Sequence, residues 1–291
     1  MASDLKPSAA RRAMLAEALR YANGPRIMGI VNATDDSFYA ESRSMDNEAV
    51  AKGLAMWDQG ATWVDVGGES TRPGAAPVDI ETELRRVLPV ITGLRSAHPS
   101  GFISIDTRHA TVAKAALEAG ADMVNDVSGL RDPAMRDVVI DAGCAVCIMH
   151  MQGDPGTMQN NPTYDDVVHE VGASLADVKM ELVQRGHPEE LIVLDPGIGF
   201  GKTQSHNLAL LRAGKHLVKT EGPLLWGVSR KSVVGHLTGQ DEAVNRLHGT
   251  LGLAAVAMNM GVDLVRVHDV EAHRDVFNAM RLGSTQPENV E

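Results

Sequence analysis

The chain has 291 residues, 44% of them hydrophobic and 22% charged, enough for one large core and too apolar for a disordered segment. Its 27 Lys and Arg against 38 Asp and Glu leave a net charge of −11. That excludes a broad basic surface for nucleic acid, and an anion can bind only where a local group of cations reverses the field. No apolar run approaches the ~20 residues that cross a bilayer, and Arg11, Arg12 and Glu17 interrupt any leader-peptide core. These features predict a soluble cytoplasmic protein with no nucleic-acid or membrane partner.

In chain order, Ala9 to Ala22 has helix-forming composition, so residues 1–24 are expected to form a short N-terminal helical extension below or beside the rest. Short apolar runs then alternate with longer segments of helical period. The runs are Ile27 to Asn32, Thr62 to Val66, Phe102 to Ile105, Met123 to Val127, Ala145 to His150, Leu191 to Leu194, Leu224 to Val228 and Leu264 to Val267. Unbroken apolar runs this short are strands covered on both faces, as in parallel sheets. Between them, Ile80, Leu84, Val87, Leu88, Ile91 and Leu94 form one stripe on a helix. Similar stripes run through Val112 to Leu117, Val167 to Leu182, Leu208 to Val218 and Leu247 to Met258. Gly60, Gly120, Gly143 and Gly261 each stand shortly before the next strand, where helices end. Cys144 and Cys147 fall at the fifth run, a pair of thiols suited to a reducing compartment rather than to a disulfide framework. Residues 284–291 read as a flexible tail.

Eight strands, each followed by a helix, predict an α/β chain folded as a (β/α)8 barrel of the TIM type over residues 25–283, near the ~250 residues usual for that fold. A doubly wound open sheet is the competing arrangement. The polar residues favour the barrel. Asn32, Asp65, Asp106, Asn125, His150, Asp195, Ser229 and His268 all stand at or near strand C-terminal ends, which converge on one mouth only in a closed barrel.

Several of these ends carry chemistry. The loop Gly67-Gly68-Glu69-Ser70-Thr71-Arg72-Pro73-Gly74 can wrap an anion with backbone N–H groups, a hydroxyl and a guanidinium, or is an ordinary strand–helix loop. Arg266 and His268 are two apart and share one face of the eighth strand, with Val265 and Val267 turned to the helices. Two such cations in a barrel mouth await an anion, unless Arg266 is paired with a neighbour such as Asp269. Ser229-Arg230-Lys231-Ser232 adds two cations beside them. Asp106, Asn125 and Asp195 can together donate to and accept from a planar heterocycle with a guanine-like edge, or they cap turns. No His-x-x-x-His metal spacing is present, and Cys144-Ala145-Val146-Cys147, the one Cys-x-x-Cys pair, reads as part of the core rather than as a metal site. Gly197-Ile198-Gly199-Phe200-Gly201-Lys202-Thr203 ends like a Walker A loop but lacks its spacing, and reads as a glycine-rich turn beside the mouth.

Taken together, the motifs resemble dihydropteroate synthase, a family of the folate pathway. The resemblance spans about Ile27 to Val270. It rests on Met28-Gly29-Ile30-Val31-Asn32, Asp65 to Ala75, Ser104-Ile105-Asp106-Thr107, Asn125-Asp126, Met149-His150-Met151-Gln152-Gly153, Leu194-Asp195-Pro196-Gly197, Ser229-Arg230-Lys231-Ser232 and Arg266-Val267-His268-Asp269, in consistent order. It implies a transferase that condenses 6-hydroxymethyl-7,8-dihydropterin diphosphate with 4-aminobenzoate and releases diphosphate. On this resemblance Asp106, Asn125, Asp195 and Lys231 hold the pterin. Asn32, Thr71, Arg266 and His268 hold diphosphate, with Asn32 also a Mg²⁺ ligand. Phe38, Arg72, Pro73, Lys231 and Ser232 line the aminobenzoate site, where sulfonamides compete. Lys231, Arg266, His268 and Asp106 carry the catalysis, and the family implies a homodimer, for which Leu247 to Met260 is the candidate contact.

One loop departs from the family pattern Asn-x-Thr-Pro-Asp-Ser-Phe-Ser-Asp-Gly-Gly. Asp35 replaces the proline, Tyr39-Ala40 replaces Ser-Asp, and Glu41-Ser42 stands where the two glycines would be. Loss of fixed and permissive φ predicts a loop that closes differently. It leaves open a weak or silent pterin-binding paralogue. A corrinoid-dependent pterin methyltransferase would share the Asp/Asn/Asp pocket but has no use for Thr71-Arg72-Pro73 with Arg266 and His268.

Overall fold

The computed structural model describes residues 5–33, 42–70, 77–154, 156–218 and 222–282, with only the backbone described over 42–46. Helix α1 (Ala9–Ala18) precedes β1 (Arg26–Asn32) and α2 (Ser42–Asp58). There follow β2 (Trp63–Gly67), α3 (Ile80–Ala97), β3 (Phe102–Asp106), α4 (Ala110–Glu118), β4 (Met123–Asp126), α5 (Pro133–Ala142) and β5 (Ala145–Met149). The second half comprises α6 (Val167–Gln184), β6 (Ile192–Asp195), α7 (Gln204–Ala213), β7 (Leu225–Trp226), α8 (Ser232–Thr238), α9 (Leu247–Asn259), β8 (Leu264–Val267) and α10 (Val270–Arg281).

All eight strands pair in parallel in the order β6-β5-β4-β3-β2-β1-β8-β7. A parallel bridge between Leu194 and Leu224 joins the two ends of this sheet, and the Leu194 N–H donates to the Pro223 carbonyl at 2.9 Å. The architecture is the (β/α)8 barrel, not the open sheet. Strand alternation sorts the side chains: Val64, Val66, Ile103, Ile105, Val265 and Val267 face the helices in the large outer core. Met28, Trp63, Met123, Ala145 and Leu264 fill the interior at its N-terminal end, sealed by Leu15, Ala18 and Leu19 of and after α1. The indole N–H of Trp63 donates to the Ala18 carbonyl at 3.0 Å, so α1 lies across the bottom of the barrel.

Three expectations shift. The extension's helix ends at Ala18, with Leu19 capping it, rather than at Ala22. The seventh run forms only a two-residue ladder, Leu225–Trp226, between Pro223 and Gly227. In α3 the buried face is Glu83, Val87, Val90, Ile91 and Leu94, while Ile80 is 41% exposed. Ile80 is the first helical residue, directly after the N-cap Asp79, where it stays exposed at the end of the helix. The tail, 284–291, lies outside the described residues.

Candidate functional site

The same alternation that buries Met28 and Trp63 below turns Asp65, Asp106, Asn125, Asp195 and Arg266 inward at the top. Arg266 stands at the centre. Its Nε donates to Asp65 Oδ2 and one terminal nitrogen to Asp106 Oδ2, both at 2.6 Å. Asn125 donates its amide to the same Asp65 oxygen at 3.1 Å. Asp65 is fully buried, and its other oxygen has no hydrogen-bond partner among the described residues. Asp269 is not the partner of Arg266; it pairs instead with Arg230, at 2.6 and 3.0 Å.

Burial decides the charge states here. Asp106 is pushed up to about 7 by burial, with Arg266 opposing and Asp65 adding to the rise. Burial alone would lower Arg266, but Asp65 and Asp106 more than reverse this and hold it charged. Asp195 is raised by burial against the pull of Lys231, and Lys231 is lowered by burial to about 8 against the pull of Asp195. Lys231 donates to the Ile198 carbonyl at 2.6 Å, and its ammonium lies 4.5 Å from the Phe200 ring centroid. Gly227 adjoins both groups: a Cβ there would lie 3.8 Å from Asp195 Oδ2 and from Lys231 Nζ, an ordinary contact distance.

His268 differs from its reading as a cation. Burial first, then Arg266 and Arg230, push it down to about 4, so at neutral pH it is an uncharged imidazole. Its Nδ1 lies 2.9 Å from Ser229 Oγ, and the same oxygen accepts the His268 backbone N–H at 3.3 Å. A hydroxyl that accepts the backbone N–H and donates to Nδ1 leaves the proton on Nε2, where it can serve an anion.

Asn32 is exposed at the end of β1, and Ser232 is exposed at the start of α8. Thr71, Arg72, Pro73 and Phe38 lie outside the described residues, as do Asp35, Tyr39, Ala40 and Glu41 of the altered loop. Sequence reasoning placed Asp65 and Ser229 at strand ends but gave neither a role. Their strand positions beside Arg266 and His268 were the available signal. Both cysteines are free and buried, as expected.

The family model described as "Pterin binding enzyme" matches residues 28–268, the whole of the barrel wall that carries these groups. The dihydropteroate synthase of Escherichia coli (strain K12) is 41% identical over 259 residues, covering 89% of this chain and 90% of that one. The chain belongs to the dihydropteroate synthase family. The synthase of Neisseria meningitidis serogroup C is 43% identical over 263 residues, covering 88% and 91%. Among solved structures, Xanthomonas albilineans dihydropteroate synthase with 4-aminobenzoic acid superposes with a TM-score of 0.83 at 40% identity, covering 91% of this chain and 94% of that one. Yersinia pestis dihydropteroate synthase with a sulfonamide drug complex gives 0.84 at 37% identity, covering 90% and 95%. In this dihydropteroate synthase family member Asp65, Asp106, Asn125, Asp195, Lys231 and Arg266 come to the mouth from six different strands or their ends.

Proposed function

We propose that the chain condenses 6-hydroxymethyl-7,8-dihydropterin diphosphate with 4-aminobenzoate to give 7,8-dihydropteroate and diphosphate. The observation that carries this is the buried set Asp106, Asn125 and Asp195 gathered with Lys231 and Arg266 inside one barrel mouth. Two carboxyls and a carboxamide match the amino, imino and carbonyl edge of a pterin. The Xanthomonas synthase solved with 7,8-dihydropteroate, 36% identical, supports the same ligand here.

The chain's own groups can then divide the work. Asp195 and Asp106 hold the heterocycle, and carboxylate charge beside the ring favours the cation that develops as the bond to diphosphate lengthens. Arg266 has committed two nitrogens to Asp65 and Asp106, and its remaining terminal nitrogen has no partner among the described residues. That nitrogen and the His268 Nε2 proton can offset charge on the leaving group. Asn32 and Thr71 complete the diphosphate subsite, and Phe38, Arg72, Pro73 and Ser232 the aminobenzoate subsite. The aniline nitrogen is already nucleophilic and needs no activated side chain.

The donors suit Mg²⁺. Among the described residues no group of three or more His, Cys, Asp and Glu could cage a metal, whereas Asn32 offers one neutral oxygen. A hard ion held mainly by substrate phosphate and water is the usual Mg²⁺ arrangement. Bound there by Asn32, it would supply Lewis-acid neutralisation of the leaving diphosphate. A homodimer through the α8–α9 side is favoured by the exposed apolar side chains Leu237, Val244 and Val256. A reducing, cytoplasmic setting suits two buried thiols, and no helix among the described residues is long and apolar enough to cross a membrane.

The deciding experiment incubates purified protein with both substrates and Mg²⁺. Diphosphate release that requires aminobenzoate, is abolished by chelation and is competitively inhibited by a sulfonamide is the expected result. Pterin binding without release would instead identify a silent binding protein, the reading favoured by Asp35, Tyr39 and Ala40.

A further inference from the structure

The turn Gly197–Gly201 and the lysine after it play no part in the condensation as derived. Yet Lys202 is only 3% exposed, and its ammonium is fully matched. Three hydrogens meet three acceptors: His150 Nδ1 at 3.1 Å, the His150 carbonyl at 3.2 Å and the Phe200 carbonyl at 2.9 Å. His150 is pushed down to about 3, by burial first and then by Lys202, so its ring accepts rather than donates at that nitrogen.

The turn itself is pressed against the segment after β5. Gly197, Gly199 and Gly201 have φ of +65°, +85° and +59°. A Cβ at Gly197 would lie 1.9 Å from the His150 carbonyl oxygen, and one at Gly201 2.4 Å from that of Gln152. On its other side the turn presents the Ile198 carbonyl and the Phe200 ring to Lys231. One lysine thus ties the turn down, and the other rests on it.

We propose that Lys202 is a positioning residue: by strapping His150 to the 197–202 turn, it sets the Ile198 carbonyl and Phe200 ring that seat Lys231 beside Asp195. Burial lowers Lys202 to about 7, with Asp195 pulling upward and Lys231 downward, so the strap is made at some expense of solvation. The inference rests on the synthase reading, because Lys231 matters only where a pterin is held.

A double-mutant cycle between Lys202→Met and Lys231→Ala tests it, read both as kcat/KM for pterin diphosphate and as the dissociation constant of 7,8-dihydropteroate. If Lys202 acts through Lys231, Lys202→Met weakens both readouts about tenfold in the unmodified chain and leaves them nearly unchanged in the Lys231→Ala background. Equal losses in both backgrounds, or no loss in either, overturn the proposal. Lys202→Gln, which keeps two donors, carries the same cycle if the methionine variant does not fold. Should the unmodified chain bind dihydropteroate without turnover, the synthase reading fails and the binding cycle still decides the strap. Absence of dihydropteroate binding overturns both.

Discussion

The two ends of the barrel are built from the same strands with the same alternation, and they treat charge in opposite ways. At the bottom, Arg11 and Arg95 converge on Asp122 at 2.8 and 2.6 Å, and Asp122 also accepts the Ile103 N–H at 3.1 Å. Above that ring of paired groups lies an apolar plug of Leu15, Trp63, Met123 and Leu264. At the top, one oxygen of the fully buried Asp65 has no partner among the described residues, Asp106 is raised to about 7, and Lys231 and His268 are lowered to about 8 and 4. The lower end closes its charged groups on one another. At the upper end the Asp65 oxygen left without a partner among the described residues is a condition a polar ligand relieves.

Substitutions at each end should separate these roles. The largest effect is expected at the top: Arg266→Ala should lower turnover by about 10²–10³ through lost stabilisation of the leaving group. It should also destabilise the fold by about 3–5 kcal/mol, because two buried carboxyls lose their cation. Steady-state kinetics with a denaturant melt give both numbers, and a loss under about tenfold with the fold intact would break the assignment. Trp63→Ala, at the bottom, should lower stability by about 3–5 kcal/mol and leave KM for both substrates unchanged. A shift in KM would mean that the two halves are coupled.

The next effect is one of pH. His268 titrates near 6.5 in the unfolded chain and near 4 in the folded one, so between these values the unfolded state binds more protons. Its contribution is present above about 6.5 and is lost as pH falls through 4; His268→Gln should flatten that part of a stability profile. The smallest change is expected for Ser229→Ala, about three- to tenfold in kcat. The imidazole ¹⁵N spectrum of His268 should then change from one tautomer to a mixture. An unchanged spectrum would remove Ser229 from the account.

Much of this is legible in the sequence because burial on both faces leaves a strong mark. Unbroken apolar runs gave the strands away, and the polar residue ending each run located the mouth. The positions of Val265 and Val267 against the helices followed from period two alone. Partner choice was less accessible. Whether Arg266 meets Asp269, its near neighbour in sequence, or Asp65 and Asp106, 201 and 160 residues away, depends on barrel curvature that no local pattern records. The charge of His268 was misread for a similar reason, since desolvation is set by everything packed around the ring. In α3 the stripe is real, but its first member, Ile80, sits at the capped end of the helix and stays exposed, which periodicity alone does not record.

The short seventh strand has a mechanical consequence. Where the wall between β6 and β7 is fastened by one rung at Leu194 and Leu224, the cylinder should unzip first. Asp195 borders that seam on one side and Lys231 on the other, so a heterocycle gripped by both would act as a rivet. Hydrogen exchange at the Leu194 amide should therefore slow on ligand binding more than at the Met28 amide across the barrel.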